Sequence, residues 1–151
     1  MRGFLSNTYL VLLSRIVLGT VFIVASIDKI AVPSLFADSV QAYQILPLPL
    51  INLFAIVLPW VELLCGLMIL TGVALRASAS IIAVTLVVFV AAMILSLFRG
   101  LNIDCGCFGG LSGTPVGWKR VLEDGGLFVL CLHIITFPRG RFGLCNSEDA
   151  Q

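Results

Sequence analysis

The sequence predicts an all-α integral membrane protein, a four-helix bundle with an interfacial amphipathic helix in its first long loop. The chain has 151 residues, of which 60% are hydrophobic and 11% are charged, and its mean hydropathy is +1.13. Soluble domains are about 45–50% apolar and about 25% charged, and a chain of this size leaves much of its surface in contact with solvent. The composition therefore excludes a soluble globular domain and a disordered chain.

Four apolar stretches are long enough to cross a bilayer. The hydrocarbon core is about 30 Å thick and needs about 20 helical residues, and only helices satisfy their own backbone groups within it. We predict one domain over 1–151 whose membrane helices cover about 9–27, 51–73, 77–98 and 117–137. The first stretch is expected to be retained, because it is too long for the apolar region of a signal peptide and contains Arg15.

The connections between these helices differ in length. Only residues 74–76 join the second and third helices, so these two are expected to be antiparallel neighbours, with both long loops on one face of the membrane. In the first long loop Phe36, Val40 and Tyr43 follow at i, i+4 and i+7, the spacing of one helix face. This pattern predicts an amphipathic helix in the membrane interface, which serves either as an anchor or as a lid over the second long loop.

The second long loop contains Cys105-Gly106-Cys107. Gly106 allows a tight turn that brings the two thiols within disulfide distance, with strain, and strained, exposed disulfides exchange readily. A static disulfide is one alternative, although so small a ring gains little from loop closure. A metal site is the other; none is expected, because structural zinc takes four ligands and the chain has a single histidine, His133.

Three polar residues are expected inside the membrane, where ionisable groups are functional candidates. The helical rise places Arg15, Glu62 and His133 about 17–18 Å from the long-loop face, in one buried polar layer. Because a lone buried charge is costly, Arg15 and Glu62 are expected to pair. The layer is either a structural ion pair or a site for a polar ligand head group, for which a quinone is the candidate cofactor.

Two further cysteines, Cys65 and Cys131, also fall within predicted membrane helices. A buried free cysteine is usually a small apolar residue. The helical rise places the two about 21 Å and about 15 Å from the long-loop face, near the limit for a disulfide. The alternative is therefore a second thiol pair that relays electrons from Cys105 and Cys107.

The charges exclude one class of partner. Nine Lys and Arg residues against eight Asp and Glu give a net charge of +1, so no nucleic-acid-binding surface is expected. Lys and Arg near the helix ends are equally numerous on both faces, so the positive-inside rule gives no orientation. Because disulfides form in oxidising compartments, we expect both long loops in the periplasm and both termini in the cytoplasm.

Two motifs are specific in combination: Leu-Pro-Trp-Val-Glu at 58–62 and Cys-Gly-Cys-Phe-Gly at 105–109. With them the region 15–110 resembles the DoxX-like membrane proteins and, among these, the methylamine-utilisation MauE family. Further matching residues are Arg15, Leu18, Gly19, Lys29, Pro33, Phe36, the segment 43–47, Gly66, Arg99 and Gly100. The resemblance implies a four-span protein of the bacterial inner membrane, linked to disulfide chemistry outside the cytoplasm and associated with a thioredoxin-like partner.

Our hypothesis is a membrane thiol–disulfide oxidoreductase in which Cys105 and Cys107 exchange disulfides with a periplasmic thioredoxin-like or client protein. One alternative is a non-catalytic accessory or anchor subunit of a larger membrane electron-transfer complex, in which the two cysteines form a static disulfide. Another is a small transporter in which Glu62 is a proton site that faces a water-filled cavity.

The predicted orientation is tested by labelling single cysteines with a membrane-impermeant maleimide in intact cells. In a chain without other cysteines, a cysteine at Ser112 in the second long loop should be labelled, and one at Ser78 beside the short turn should not. The reverse pattern would contradict periplasmic long loops.

Overall fold

The computed structural model describes residues 8–44, 47–100 and 118–137. These ranges contain five α-helices and no strand, which confirms the all-α class. The helices are α1 (Thr8–Ala31), α2 (Pro33–Ala42), α3 (Leu48–Thr71), α4 (Leu75–Phe98) and α5 (Trp118–Thr136).

Three of these helices are long and apolar enough to cross a membrane: Tyr9–Ala31 in α1, Pro49–Thr71 in α3, and all of α4. Their mean hydropathies are 2.4, 2.4 and 3.0. The shorter α5 has 19 residues, and Lys119, Arg120, Glu123 and Asp124 lie in its first two turns. The fourth membrane span expected at 117–137 therefore stays a prediction, whereas the first three are confirmed as candidate spans.

The helix ends differ from the expected positions by at most four residues. The largest shift is in α1, which continues to Ala31 instead of ending near residue 27 and so includes Lys29. The turn between α3 and α4 is Gly72–Ala74: Gly72 has φ +82°, and the Val73 N–H donates to the Met68 carbonyl at 3.0 Å. This is the Schellman arrangement that ends many helices, for which glycine is favoured.

The α1–α3 contact depends on two glycines. A Cβ atom at Gly19 would lie 2.6 Å from Leu70 Cγ and 3.0 Å from the Gly66 carbonyl oxygen, and one at Gly66 would lie 3.0 Å from Ile23 Cγ1. Small residues let two membrane helices approach closely, since packing rather than the hydrophobic effect holds them together in lipid. This crossing fixes the axial register between α1 and α3.

Helix α2 packs on protein through its apolar face. Phe36 and Val40 are buried against Ile51 and Ala55 of α3 and Phe89 of α4. Further along, Tyr43 is buried with Met93 of α4, and Val121 of α5 packs against them. The amphipathic pattern thus identifies the buried face correctly, and α2 covers the end of the bundle at which both long connections emerge.

The burial of Ser78 beside the short turn changes which residue should be used in the labelling experiment. Ser78 is 1% exposed, and its hydroxyl lies 3.5 Å from Met68 Sδ. The neighbouring Ala77 is exposed, so it is the better position for a cysteine that reports this face.

The close crossing predicts opposite effects for two Gly→Ala substitutions. Gly126 of α5 is exposed, and its Cβ would meet no atom within 4 Å; Ala there should raise helix stability by about 0.5–1 kcal/mol. Gly19→Ala gains the same helix propensity, but its new methyl group clashes with Leu70 and Gly66. It should therefore lower the melting temperature of the detergent-solubilised protein. A melting temperature that rises equally in both variants would show that the crossing is not tight.

Candidate functional site

Two of the buried charged residues that the structure describes form an ion pair. Lys29 Nζ donates to Glu62 Oε2 at 2.7 Å, and the two side chains are 3% and 2% exposed. Burying either charge alone would be costly, whereas a direct hydrogen-bonded pair offsets much of that cost. The pair therefore connects the last turns of α1 to the middle of α3.

The direction of helical side chains explains why these two residues meet. Side chains lean toward the N-terminus of their own helix, and α1 and α3 are antiparallel. Lys29 therefore leans back along α1 toward the level of Glu62, and Glu62 leans toward the level of Lys29. The residues one turn before Lys29 are Ala25 and Ser26. Both are small, so they do not obstruct a lysine side chain that leans back along the helix.

Two aromatic rings lie over the lysine ammonium. Lys29 Nζ is 5.0 Å from the centroid of the Phe36 ring and 5.4 Å from that of Phe89. The negative face of an aromatic ring attracts a cation, most strongly where water is excluded. Helix α2, which begins at Pro33, supplies Phe36, and α4 supplies Phe89. With Glu62 of α3, three other helices therefore surround the charge that α1 carries.

A small cavity lies beside the ion pair. Its volume is about 30 Å³, and its polar lining residues are Lys29, Glu62, Thr85 and Asp124. Asp124 is 7% exposed. The volume accommodates one or two water molecules. A quinone as cofactor stays a prediction.

The expected pairing of Arg15 with Glu62 is wrong. Arg15 Nε donates to the Ile69 carbonyl and Arg15 Nη2 to the Leu70 carbonyl, both at 3.0 Å. These carbonyls belong to the last turn of α3, where backbone acceptors lack partners within the helix and where the helix dipole favours a cation. Arg15 is thus stabilised by the end of α3, about 10 Å along that helix from Glu62.

His133 lies at the same level as Arg15. Its Nδ1 is 3.1 Å from the hydroxyl oxygen of Ser14, the residue before Arg15 in α1. The Ser14 hydroxyl donates to the Leu10 carbonyl. The single polar layer predicted from Arg15, Glu62 and His133 is therefore divided into two levels. One contains Arg15 and His133; the other contains Glu62 with Lys29 and Asp124.

The cysteines are only partly described. Cys65 and Cys131 are buried in one core cluster and carry free thiols, so a second thiol pair stays a prediction. Cys105 and Cys107 lie outside the described residues, as does Cys145.

Lys29 and Asp124 are site residues that were not expected from the sequence. The signal for Lys29 was the apolar pair Ile30-Ala31 that follows it, which extends α1 past the lysine and brings it into the bundle. Asp124 was visible as an acidic residue early in the last apolar stretch, but its position at the cavity depends on how α5 packs.

Comparisons with known proteins agree with the resemblance drawn from the motifs. The family model described as Methylamine utilisation protein MauE matches residues 7–137. This chain belongs to the MauE family. It is 33% identical over 138 residues to the Methylamine utilization protein MauE of Paracoccus denitrificans and 29% identical over 141 residues to that of Methylophilus methylotrophus. The alignments cover 90% and 91% of this chain and 74% of each relative. No solved structure matches the chain.

The buried pair predicts a specific pattern in a double-mutant cycle. Lys29→Met and Glu62→Gln should each lower the free energy of unfolding by about 3–5 kcal/mol, because each leaves one charge buried alone, and the double variant should recover much of that loss. Unfolding by SDS titration in mixed micelles measures these values.

Two controls accompany this cycle. The exposed pair Arg120–Glu123 has an N···O distance of 2.9 Å, and breaking it should cost about 1 kcal/mol or less. Arg15→Met and Glu62→Gln should be additive, because the two sites are about 10 Å apart and share no partner. Additivity of Lys29→Met with Glu62→Gln would contradict the energetic pairing.

Proposed function

We propose that this MauE-family membrane protein serves methylamine utilisation by thiol–disulfide exchange through Cys105 and Cys107. The partner is a periplasmic thioredoxin-like protein or a client enzyme, and the membrane is the bacterial inner membrane. The observation that carries the proposal is the Cys-Gly-Cys sequence in the segment between α4 and α5. Both relatives are named for methylamine utilisation, which supports the pathway assignment.

The arrangement of the described helices supports a role at the membrane surface. The described chain leaves α4 at Gly100 and returns at Trp118. Tyr43 at the end of α2, Met93 near the end of α4 and Val121 near the start of α5 share one cluster. Chain connectivity therefore tethers the segment with the two cysteines to the end of the bundle that α2 covers.

Cations flank this segment. Arg99 follows α4, and Lys119 and Arg120 lie in the first turn of α5. Positive charge near a thiol favours the thiolate, the form that attacks a disulfide. The negative charge of Asp104 disfavours the thiolate.

Bonds, electrons and protons all balance in this exchange without a further cofactor. The thiolate of one cysteine attacks a disulfide of the partner, forms a mixed disulfide and displaces one partner thiolate. The second cysteine then attacks the mixed disulfide, which releases the other partner thiolate and leaves Cys105 and Cys107 joined. The two cysteines lose two electrons, the partner disulfide gains them, and the thiol protons pass to the partner thiolates. The reverse sequence oxidises a partner dithiol.

The proposal predicts that Cys105→Ser and Cys107→Ser each abolish methylamine-dependent growth in a host that needs this protein for it. Either variant should also trap a mixed disulfide with a soluble partner, visible as a band that reductant removes on a non-reducing gel. Cys145→Ser is the matched control and should support normal growth without such a band.

Two outcomes would contradict thiol exchange. Full growth of the double Ser variant would favour the accessory or anchor subunit. A wild-type Cys105–Cys107 disulfide that resists strong dithiol in the folded protein, as measured by alkylation and intact mass, would identify a static disulfide. Unchanged melting temperatures of the Ser variants confirm that growth defects do not arise from unfolding.

A further inference from the structure

We propose that the cavity beside Lys29 and Glu62 is a buried water-binding site, in which ordered water bridges the Lys29 ammonium, Glu62 Oε1 and the Thr85 hydroxyl. This water links α1, α3 and α4 through hydrogen bonds. The site does not depend on the cysteines or on the function proposed above.

The first argument is a carboxylate oxygen without a donor. The one hydrogen bond that Glu62 receives from the described residues comes from Lys29 and reaches Oε2, so Oε1 has no donor among them. The Glu62 side chain is only 2% exposed, yet no fully enclosed side-chain nitrogen or oxygen of the described residues lacks a partner. Oε1 is therefore not fully enclosed, and Glu62 lines the cavity.

The second argument is the unused hydrogen-bonding capacity of the ammonium. Lys29 is 3% exposed, and its Nζ has three protons. Among the described residues Glu62 is its one hydrogen-bond partner. The rings of Phe36 and Phe89 attract the positive charge, but they contain no nitrogen or oxygen that accepts a proton. Two N–H groups of a buried cation beside the cavity thus need an acceptor.

The polar residue that α4 contributes to the lining is Thr85. Its hydroxyl donates to the Ile81 carbonyl at 3.0 Å, so its single proton is already used and its oxygen can accept a further hydrogen bond. Asp124 of α5 also lines the cavity. It already has an interaction partner, and the water site does not need its carboxyl group.

Water matches these groups in number and in kind. A buried water makes two to four hydrogen bonds to polar groups that lack other partners. Here it accepts from Lys29 and donates to Glu62 Oε1 and to Thr85. The cavity, with a volume of about 30 Å³, is large enough for it. A lipid chain offers no hydrogen bond, so a cavity filled with hydrocarbon would leave these groups unsatisfied at a high free-energy cost.

The direct test is solid-state NMR of the protein in deuterated lipid, which measures how fast magnetisation passes from water to each carbon. The Glu62 carboxyl carbon, which Glu62→Gln identifies, should receive it faster than the backbone carbonyl carbon of Leu18. Leu18 is 0% exposed and is the dry reference, whereas the carboxyl carbon of exposed Glu123 is the wet one. Transfer to Glu62 as slow as transfer to Leu18 would overturn the water site.

Substitutions of Thr85 test the third partner. Thr85→Val keeps the shape of the side chain but removes the hydroxyl, so it should slow the transfer from water to the Glu62 carboxyl carbon. It should also lower the melting temperature, because the water loses a partner. Thr85→Ser keeps the hydroxyl and should keep the transfer rate of the wild type.

The matched control is Thr71→Val. The Thr71 hydroxyl donates to the Leu67 carbonyl at 2.9 Å, the same bond to the preceding turn that Thr85 makes, but Thr71 is exposed. Thr85→Val should therefore melt at a lower temperature than Thr71→Val, and Thr71→Val should leave the transfer to Glu62 unchanged. Equal melting temperatures together with an unchanged transfer rate in Thr85→Val would overturn the role of Thr85.

Discussion

The ion pair between Lys29 and Glu62 is the interaction on which the rest of this structure depends. Neither charge can remain alone in an apolar interior, so the end of α1 has to lie against the middle of α3. The ammonium then becomes the point where other elements meet, because Phe36 of α2 and Phe89 of α4 close over it. A short helix outside the three candidate spans is thereby held against them by a charge as well as by apolar packing.

The glycine crossing determines which cation reaches Glu62. Gly19 and Gly66 fix the register of α1 against α3, and in that register Arg15 lies beside the last turn of α3 and Lys29 lies near Glu62. Each cation is stabilised in a different way: Arg15 by backbone carbonyls and the dipole of a helix end, and Lys29 by a carboxylate and two rings. The buried polar residues therefore form two levels, and the cavity lies at the level of Lys29 and Glu62.

Two regions of this protein contain residues that can take part in chemistry: the segment with Cys105 and Cys107, and the cavity beside Lys29 and Glu62. The segment that contains Cys105 and Cys107 connects α4 to α5, and Val121 near the start of α5 packs in the cluster of Tyr43 and Met93. The cavity beside Lys29 and Glu62 is lined by residues of α1, α3, α4 and α5.

The sequence by itself determined the helical class, the three long apolar helices, the buried face of α2 and the family, because hydropathy, the i, i+4, i+7 spacing and local motifs are properties of single segments. The partner of Glu62 was decided only by the tertiary structure. Depth along a helix can be counted from the sequence, but two depths can be compared only when the helix ends and the axial shift between helices are known. Here α1 ends four residues later than expected, which brings Lys29 into the bundle, and the glycine crossing places Arg15 about 10 Å from Glu62 along α3. Asp124 joins this site for the same reason, since the packing of α5 sets which of its faces meets the cavity.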